Sequence, residues 1–195
     1  MSHQLRAQRV WPCNMLARYI WQYLSILEDI NELTLASQRA TDERAKIALV
    51  RYTLVALHAF DDLAKRFQSD VRSGAVDELA HRDLNRLDGS IREYHRAIEP
   101  YRADLAAVRN TLGGHRGLPG RREQQRFKTD FAAWGEWEQT LASLEAKCKL
   151  EQWMPAIAIA FDLYNQVVQI NAARWYWIEQ KGRIRMYMPL RFADD

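Results

Sequence analysis

The chain has 195 residues, the length of one ordinary domain, and its 48% apolar and 27% charged residues are the balance of a globular protein rather than a disordered one. No run approaches the roughly 20 uninterrupted apolar residues of a membrane span, and the start Met1-Ser2-His3-Gln4-Leu5-Arg6 lacks the basic, apolar and small-residue sequence of a secretory signal. A soluble, cytoplasmic protein is therefore expected, with one domain over residues 1–195 and short tails at about 1–12 and 183–195. The net charge is only +3, but arginine outnumbers lysine by 22 to 6. Guanidinium groups make the planar, two-pronged contacts that suit phosphate and carboxylate partners. Cys13 and Cys148 are too few and too far apart for a disulfide framework or a cysteine zinc site.

Hydrophobic periodicity is helical nearly throughout. A first helix is predicted from about Asn14 to Leu35, with Leu16, Tyr19, Ile20, Tyr23, Leu27 and Ile30 on one face. A second follows Thr41 as N-cap, with Asp42 and Glu43 in its first turn. Its core-facing stripe is read as Ala45, Ala48, Leu49, Tyr52, Val55, Ala56, Ala59, Phe60, Leu63 and Phe67, and the Ser69 to Gly74 segment ends it.

From Leu84 to Leu112 the apolar residues Leu84, Leu87, Ile91, Tyr94, Ile98, Tyr101, Leu105, Val108 and Leu112 recur in steps of three and four, a bundle-packing seam. Pro100 inside it predicts a kink or two helices. Gly113 and Gly114 stop the pattern, and a polar, glycine-rich loop through Gly120 follows. Phe127, Phe131, Trp134, Leu141 and Leu144 mark another helix, bent near Gly135, and Pro155 is read as opening a last long helix through about Gln180. The one period-two run, Ile184 to Met188, is the single strand candidate. The expectation is an all-α, antiparallel bundle of four to six helices.

Metal chemistry finds little support: Glu78-Leu79-Ala80-His81 is a lone Glu-x-x-His pair where a di-metal bundle needs two, and no metal site or cofactor is expected. His58, His81 and His95 are read as surface or boundary histidines. The tryptophans, notably Trp134, Trp137, Trp175 and Trp177, are assigned to core and dimer interface rather than to base stacking.

The segment Arg109-Asn110-Thr111-Leu112-Gly113-Gly114-His115 stands apart. With Leu105 four residues before it and Leu112 three after, Arg109 emerges at the border of the apolar seam. On an unbroken helix Arg109 and His115 point about 240° apart, but the two glycines let the backbone turn and bring the imidazole back. An arginine that holds a phosphodiester, beside a histidine that moves a proton to or from the 2′-hydroxyl or the leaving oxygen, is a workable pair for cleaving RNA without metal. Asn110 is placed to orient either group. Arg116, Arg121, Arg122, Arg126 and Lys128 form a basic run fit to bind an RNA backbone. Asp61 and Asp62, late in the second helix, are the acids that would fix Arg109 if it were instead a bundle-edge ion pair. A second Arg and His pair, Arg51 and His58, lies within a periodic helix, where the two sit about 10 Å apart along the axis, a poor fit to one phosphate.

An arginine, a following polar residue and a histidine after a short interval in an all-helical chain resembles the HEPN superfamily, whose signature separates arginine from histidine by four to six residues. Here Arg109 and His115 are the pair and Asn110 the polar residue. The resemblance implies a HEPN-like bundle that forms a homodimer, brings two motifs into one cleft and cleaves RNA without metal to leave a cyclic phosphate. It also implies a toxin or phage-defence setting, with an antitoxin protein as partner. The alternatives are a non-catalytic helical module that binds RNA or a protein partner through the same basic loop, and a structural dimerisation bundle in which an internal salt bridge consumes Arg109.

Overall fold

The computed structural model describes residues 15–76, 81–113 and 121–180. Among these it contains six α-helices and no strand. They are α1 (Met15–Arg39), α2 (Glu43–Ser73), α3 (His81–Val108), α4 (Arg121–Phe127), α5 (Phe131–Ala146) and α6 (Leu150–Gln180), with a π-helical turn at Arg109–Gly113 continuing α3. The predicted tails, the loop between Gly114 and Gly120, and the strand candidate Ile184 to Met188 lie outside the described residues.

Four of the helices close a ring in which α1 packs on α2, α2 on α3, α3 on α6 and α6 on α1. Pairings along the first two interfaces run in opposite senses of the chain. Tyr19 meets Phe67 with ring centroids 4.2 Å apart, while Tyr23 meets Phe60 at 4.6 Å. On the other side of α2, Arg72 bonds Asp88 while Asp61 bonds Arg102. The bundle is antiparallel. Such tilted aromatic contacts fill the centre with large side chains at favourable ring geometry; Tyr23, Phe60 and Phe67 are fully buried.

Every expected apolar position of α1 is buried, and the helix runs past Leu35 to Arg39 because Thr34 and Ser37 still face inward. The seam of α3 is likewise buried or half-buried along its length. Pro100 neither ends nor divides α3. Its ring sits on the exposed face, where water takes the place of the helical hydrogen bond that proline cannot donate.

The stripe of α2 differs from the expectation. Of the ten residues read as core-facing, only Phe60 and Phe67 are buried; the core face runs through Val50, Thr53, Leu54, Leu57, Phe60, Asp61, Ala64, Phe67 and Val71. This helix carries two apolar rows, and the charge of Asp61 on the buried one disguised it. Its ends are well defined. Asp42, not Thr41, is the N-cap, with Oδ2 accepting from the Ala45 N–H at 2.7 Å. At the other end Gly74 adopts φ +76°, and the Gly74 and Ala75 N–H groups close on Val71 and Asp70 carbonyls at 3.3 and 3.0 Å.

The bend expected near Gly135 falls instead at Thr129 and Asp130, where the chain leaves α4 and Asp130 caps α5 by accepting from the Ala132 N–H at 3.0 Å. Gly135 lies inside α5. Pro155 does not open α6, which starts five residues earlier at Leu150. Burial of Leu150 and Trp153 secures those extra residues, and the Trp153 indole donates to the Lys147 carbonyl at 2.7 Å. Lys147 also bonds Asp104 at 2.6 Å, tying the α5–α6 corner to α3. Cys148 sits in that corner with its thiol buried and directed at the Leu144 carbonyl, and burial pushes the thiol up to about 11.

Candidate functional site

The seam of α3 does not stop at an ordinary helix end. Across Arg109–Gly113 the N–H groups reach back five residues instead of four, a widened turn of a kind that often accompanies functional sites. Val108 just before it and Leu112 within it remain in the core, Thr111 is half-buried, and Arg109 and Asn110 are exposed. The turn packs on α2 and touches α5, so the direction of Arg109 is set by buried neighbours rather than by a loose loop.

Arg109 lines an open groove of about 610 Å³ whose other described walls come from α1 and α2. From α1 the groove takes Trp21, Gln22, Ser25 and Ile26; from α2 it takes Val55, His58, Ala59, Asp62, Leu63 and Arg66. Helical periodicity explains the set. His58, Asp62 and Arg66 are spaced by four and form one polar row about 12 Å long. Val55, Ala59 and Leu63 form the parallel apolar row, the one the sequence reading assigned to the core.

Within this groove His58 is mostly buried, with Nδ1 3.2 Å from Asp62 Oδ2 but outside hydrogen-bond alignment. Asp62 also receives Lys65 Nζ at 3.4 Å. Asp62, the one carboxylate among the described lining residues, thus has cationic or titratable company. Arg66 and Arg109 have no ion-pair partner among the described residues. Among its described lining residues the groove carries a positive excess, and Trp21, 64% exposed, is part of that lining. Such a surface holds an anion with the guanidinium groups and offers an aromatic face beside it.

The sequence-predicted residues are distributed as follows. Asn110 is exposed next to Arg109. His115 and Arg116 lie outside the described residues, as do the side chains of Arg121 and Arg122, which begin α4. Lys128 is exposed in the turn after α4. Arg126 is exposed but paired with Glu136 at 3.0 Å, so part of its charge is spent within the protein. The described imidazole that shares a groove with Arg109 is His58. The signal for it is the row His58, Asp62, Arg66 at steps of four, which the reading of His58 as a boundary histidine and its pairing with Arg51 both pass over.

Asp61 is not a partner of Arg109. Its carboxylate, 3% exposed, accepts from Arg102 Nε at 3.1 Å and Nη2 at 2.9 Å and pairs with Lys65 Nζ at 2.7 Å. Burial alone raises a carboxyl's pKa, but these donors outweigh it and hold Asp61 below its ordinary value. His95 closes the cluster, with Nδ1 against Arg102 Nη2 and 3.9 Å from Asp61. Burial and then the Arg102 charge hold His95 below its ordinary value, against the pull of Asp61. Glu99 takes the remaining Arg102 edge. These charges bind one another between α2 and α3, an arrangement that locks two helices in register rather than one that receives a ligand.

Among the tryptophans, Trp153 is buried, whereas Trp134 is 43% exposed, bonded to Glu138 and edge-on to Phe127 at 5.1 Å. Trp134 is therefore not core; the Trp175 and Trp177 side chains lie outside the described residues. Among those residues no group of three or more His, Cys, Asp or Glu side chains is placed to hold a metal ion, and no helix is long and apolar enough to cross a membrane. No family model matches the chain, and neither a curated protein nor a solved structure matches it at a significant level.

Proposed function

We propose that this protein is a metal-independent endoribonuclease of HEPN type. In this reading Arg109 binds the scissile phosphate and stabilises the charge that gathers on its oxygens, Asn110 positions it, and His115 transfers the proton. The 2′-oxygen attacks phosphorus as its proton leaves, the bond to the 5′-oxygen breaks, and that oxygen takes up a proton, leaving a cyclic phosphate and a 5′-hydroxyl. Arg116, Arg121, Arg122, Arg126 and Lys128 hold the RNA backbone near the site. The same reading carries a homodimer, an antitoxin protein as partner, and a cytoplasmic role as a toxin or phage-defence effector.

The observation that supports it is Arg109 itself. The residue is exposed at a π-helical turn fixed by buried neighbours, beside Asn110, with no ion-pair partner among the described residues. Arg102, by contrast, is held between α2 and α3 by Asp61.

The test is incubation of the purified protein with total tRNA and with an unstructured RNA in EDTA, beside Arg109→Ala and His115→Ala. The parent is expected to cleave and to leave cyclic-phosphate ends. Each variant is expected to lose about 100-fold or more, the usual contribution of a proton-transfer or charge-stabilising group. Cleavage that survives the double variant rejects the catalytic assignment, and salt-sensitive RNA binding without cleavage assigns the non-catalytic module instead.

A further inference from the structure

We propose that the groove between α1 and α2 seats one unpaired nucleotide of a single-stranded RNA, with Trp21 stacking on its base and Arg66 and Arg109 holding its phosphates. The substrate class is then single-stranded RNA rather than duplex. This rests on the ribonuclease reading for the identity of the ligand, while the groove's own features supply the mode of binding.

Three observations converge on it. An indole left 64% exposed is a large apolar surface in water, and it lines a groove whose other walls combine the apolar side chains Ile26, Val55, Ala59 and Leu63 with the guanidinium groups of Arg66 and Arg109. A nucleobase is the ligand group that is flat, aromatic and attached to an anion, and base stacking on exposed aromatic rings is how single strands are held irrespective of sequence. The charges match in sign. Arg66 and Arg109 lack ion-pair partners among the described residues, while Asp62, the carboxylate among the described lining residues, is held beside His58 and Lys65 and so repels a phosphate less than a free acid would. The size matches as well: about 610 Å³ lies within the range of about 300–1,000 Å³ typical of small-ligand sites. The groove is open, so a strand can continue past it. A base pair within a duplex shows no free face to stack on, which is what excludes double-stranded RNA.

The experiment uses the full chain and an unstructured RNA of about eight nucleotides, within the usual footprint of a single-strand site. The RNA carries 2′-O-methyl riboses, which cannot be cleaved, and a fluorescent end label read by anisotropy. The parent is compared with Trp21→Ala, Trp21→Phe and Arg66→Gln, and with the same strand annealed to its complement. Trp21→Ala is expected to weaken binding by about 5- to 150-fold, the effect of one lost base stack, and Trp21→Phe to restore most of it. Arg66→Gln is expected to lower the slope of log affinity against log salt by about 0.7, the share of one phosphate contact on a single strand.

Equal affinity for the parent and Trp21→Ala overturns the proposal, as does equal affinity for duplex and single strand. If Trp21→Ala leaves RNA affinity unchanged but turns a dimer into a monomer by sedimentation, the groove belongs to a second copy of the chain. Because the probe cannot be cut, the two readings fail separately. Binding that depends on Trp21 without cleavage of natural RNA keeps the groove and removes the nuclease. Cleavage unaffected by Trp21→Ala, with unchanged affinity, does the reverse.

Discussion

Asp61 shows what one charged residue costs and gains in a helical core. Taking a carboxylate out of water is expensive, and only the converging Arg102 and Lys65 donors make it tolerable. Asp61→Asn removes the charge but leaves both cations facing a neutral amide. Because Arg102 and Lys65 are partly exposed and can regain water, the expected loss is toward the lower end of the about 3–5 kcal/mol seen when one partner of a buried pair is removed; urea denaturation measures it. The cluster also sets a pH dependence. His95 is held below the 6.5 of an ordinary histidine, so below that pH the unfolded chain binds protons that the native state refuses, and stability falls. Asp61 is held below 3.8, so its contribution is complete above that value and is lost as pH drops through the lower folded value. Two separate acid steps are therefore expected in the urea midpoint, and His95→Gln is expected to abolish the upper one alone. A single step unaffected by His95→Gln contradicts this account.

Among the elements, the ends of α2 and the start of α5 make the cleanest tests because each depends on one residue. At φ +76° a side chain meets its own backbone, and nothing else lies within 4 Å of where a Gly74 Cβ would stand. Gly74→Ala is thus expected to cost about 1–2 kcal/mol through backbone strain alone. Asp130→Ala is expected to cost about 1 kcal/mol as a lost cap, and helicity by circular dichroism with thermal melts separates the two effects. How far such features were readable in the sequence depends on how many neighbours decide them. The seam of α3 was legible because its apolar residues face one way and their spacing alone places them. The face of α2 was not. Both of its rows alternate properly, and only the neighbours on α1 and α3 determine that Leu54 and Leu57 go inside while Val55, Ala59 and Leu63 line a groove. Proline misled in both α3 and α6, since local preference puts it at helix starts and the packing of Trp153 or Ile98 overrides that preference. Arg109 was found by its position on the seam. His58, Arg66 and Trp21 were not, because a groove between two helices is a property of their pairing, and no spacing within one helix records it.

Among the described residues, α1, α2, α3 and α6 share one buried cluster, while α4 packs mainly on α5, through the partly exposed rings of Phe127, Trp134 and Trp137. Elements with few buried contacts open at low free energy. Amide hydrogen exchange is therefore expected to be fast across α4 and the first turns of α5 and slowest at the α1–α2–α3 aromatic centre. Equal protection of α4 and α2 would show that the pair is integral to the bundle. The buried thiol at the α5–α6 corner extends this argument from amides to chemistry. Cys148 is sealed by Leu144 and the start of α6, and burial pushes it up to about 11, so at neutral pH it is both shielded and almost wholly unionised. Modification by an alkylating reagent must wait for that corner to part. In a chain whose other cysteine, Cys13, is replaced by serine, the speed of labelling becomes an internal clock that reports how often the α5–α6 corner opens, with the native thiol itself as the sensor.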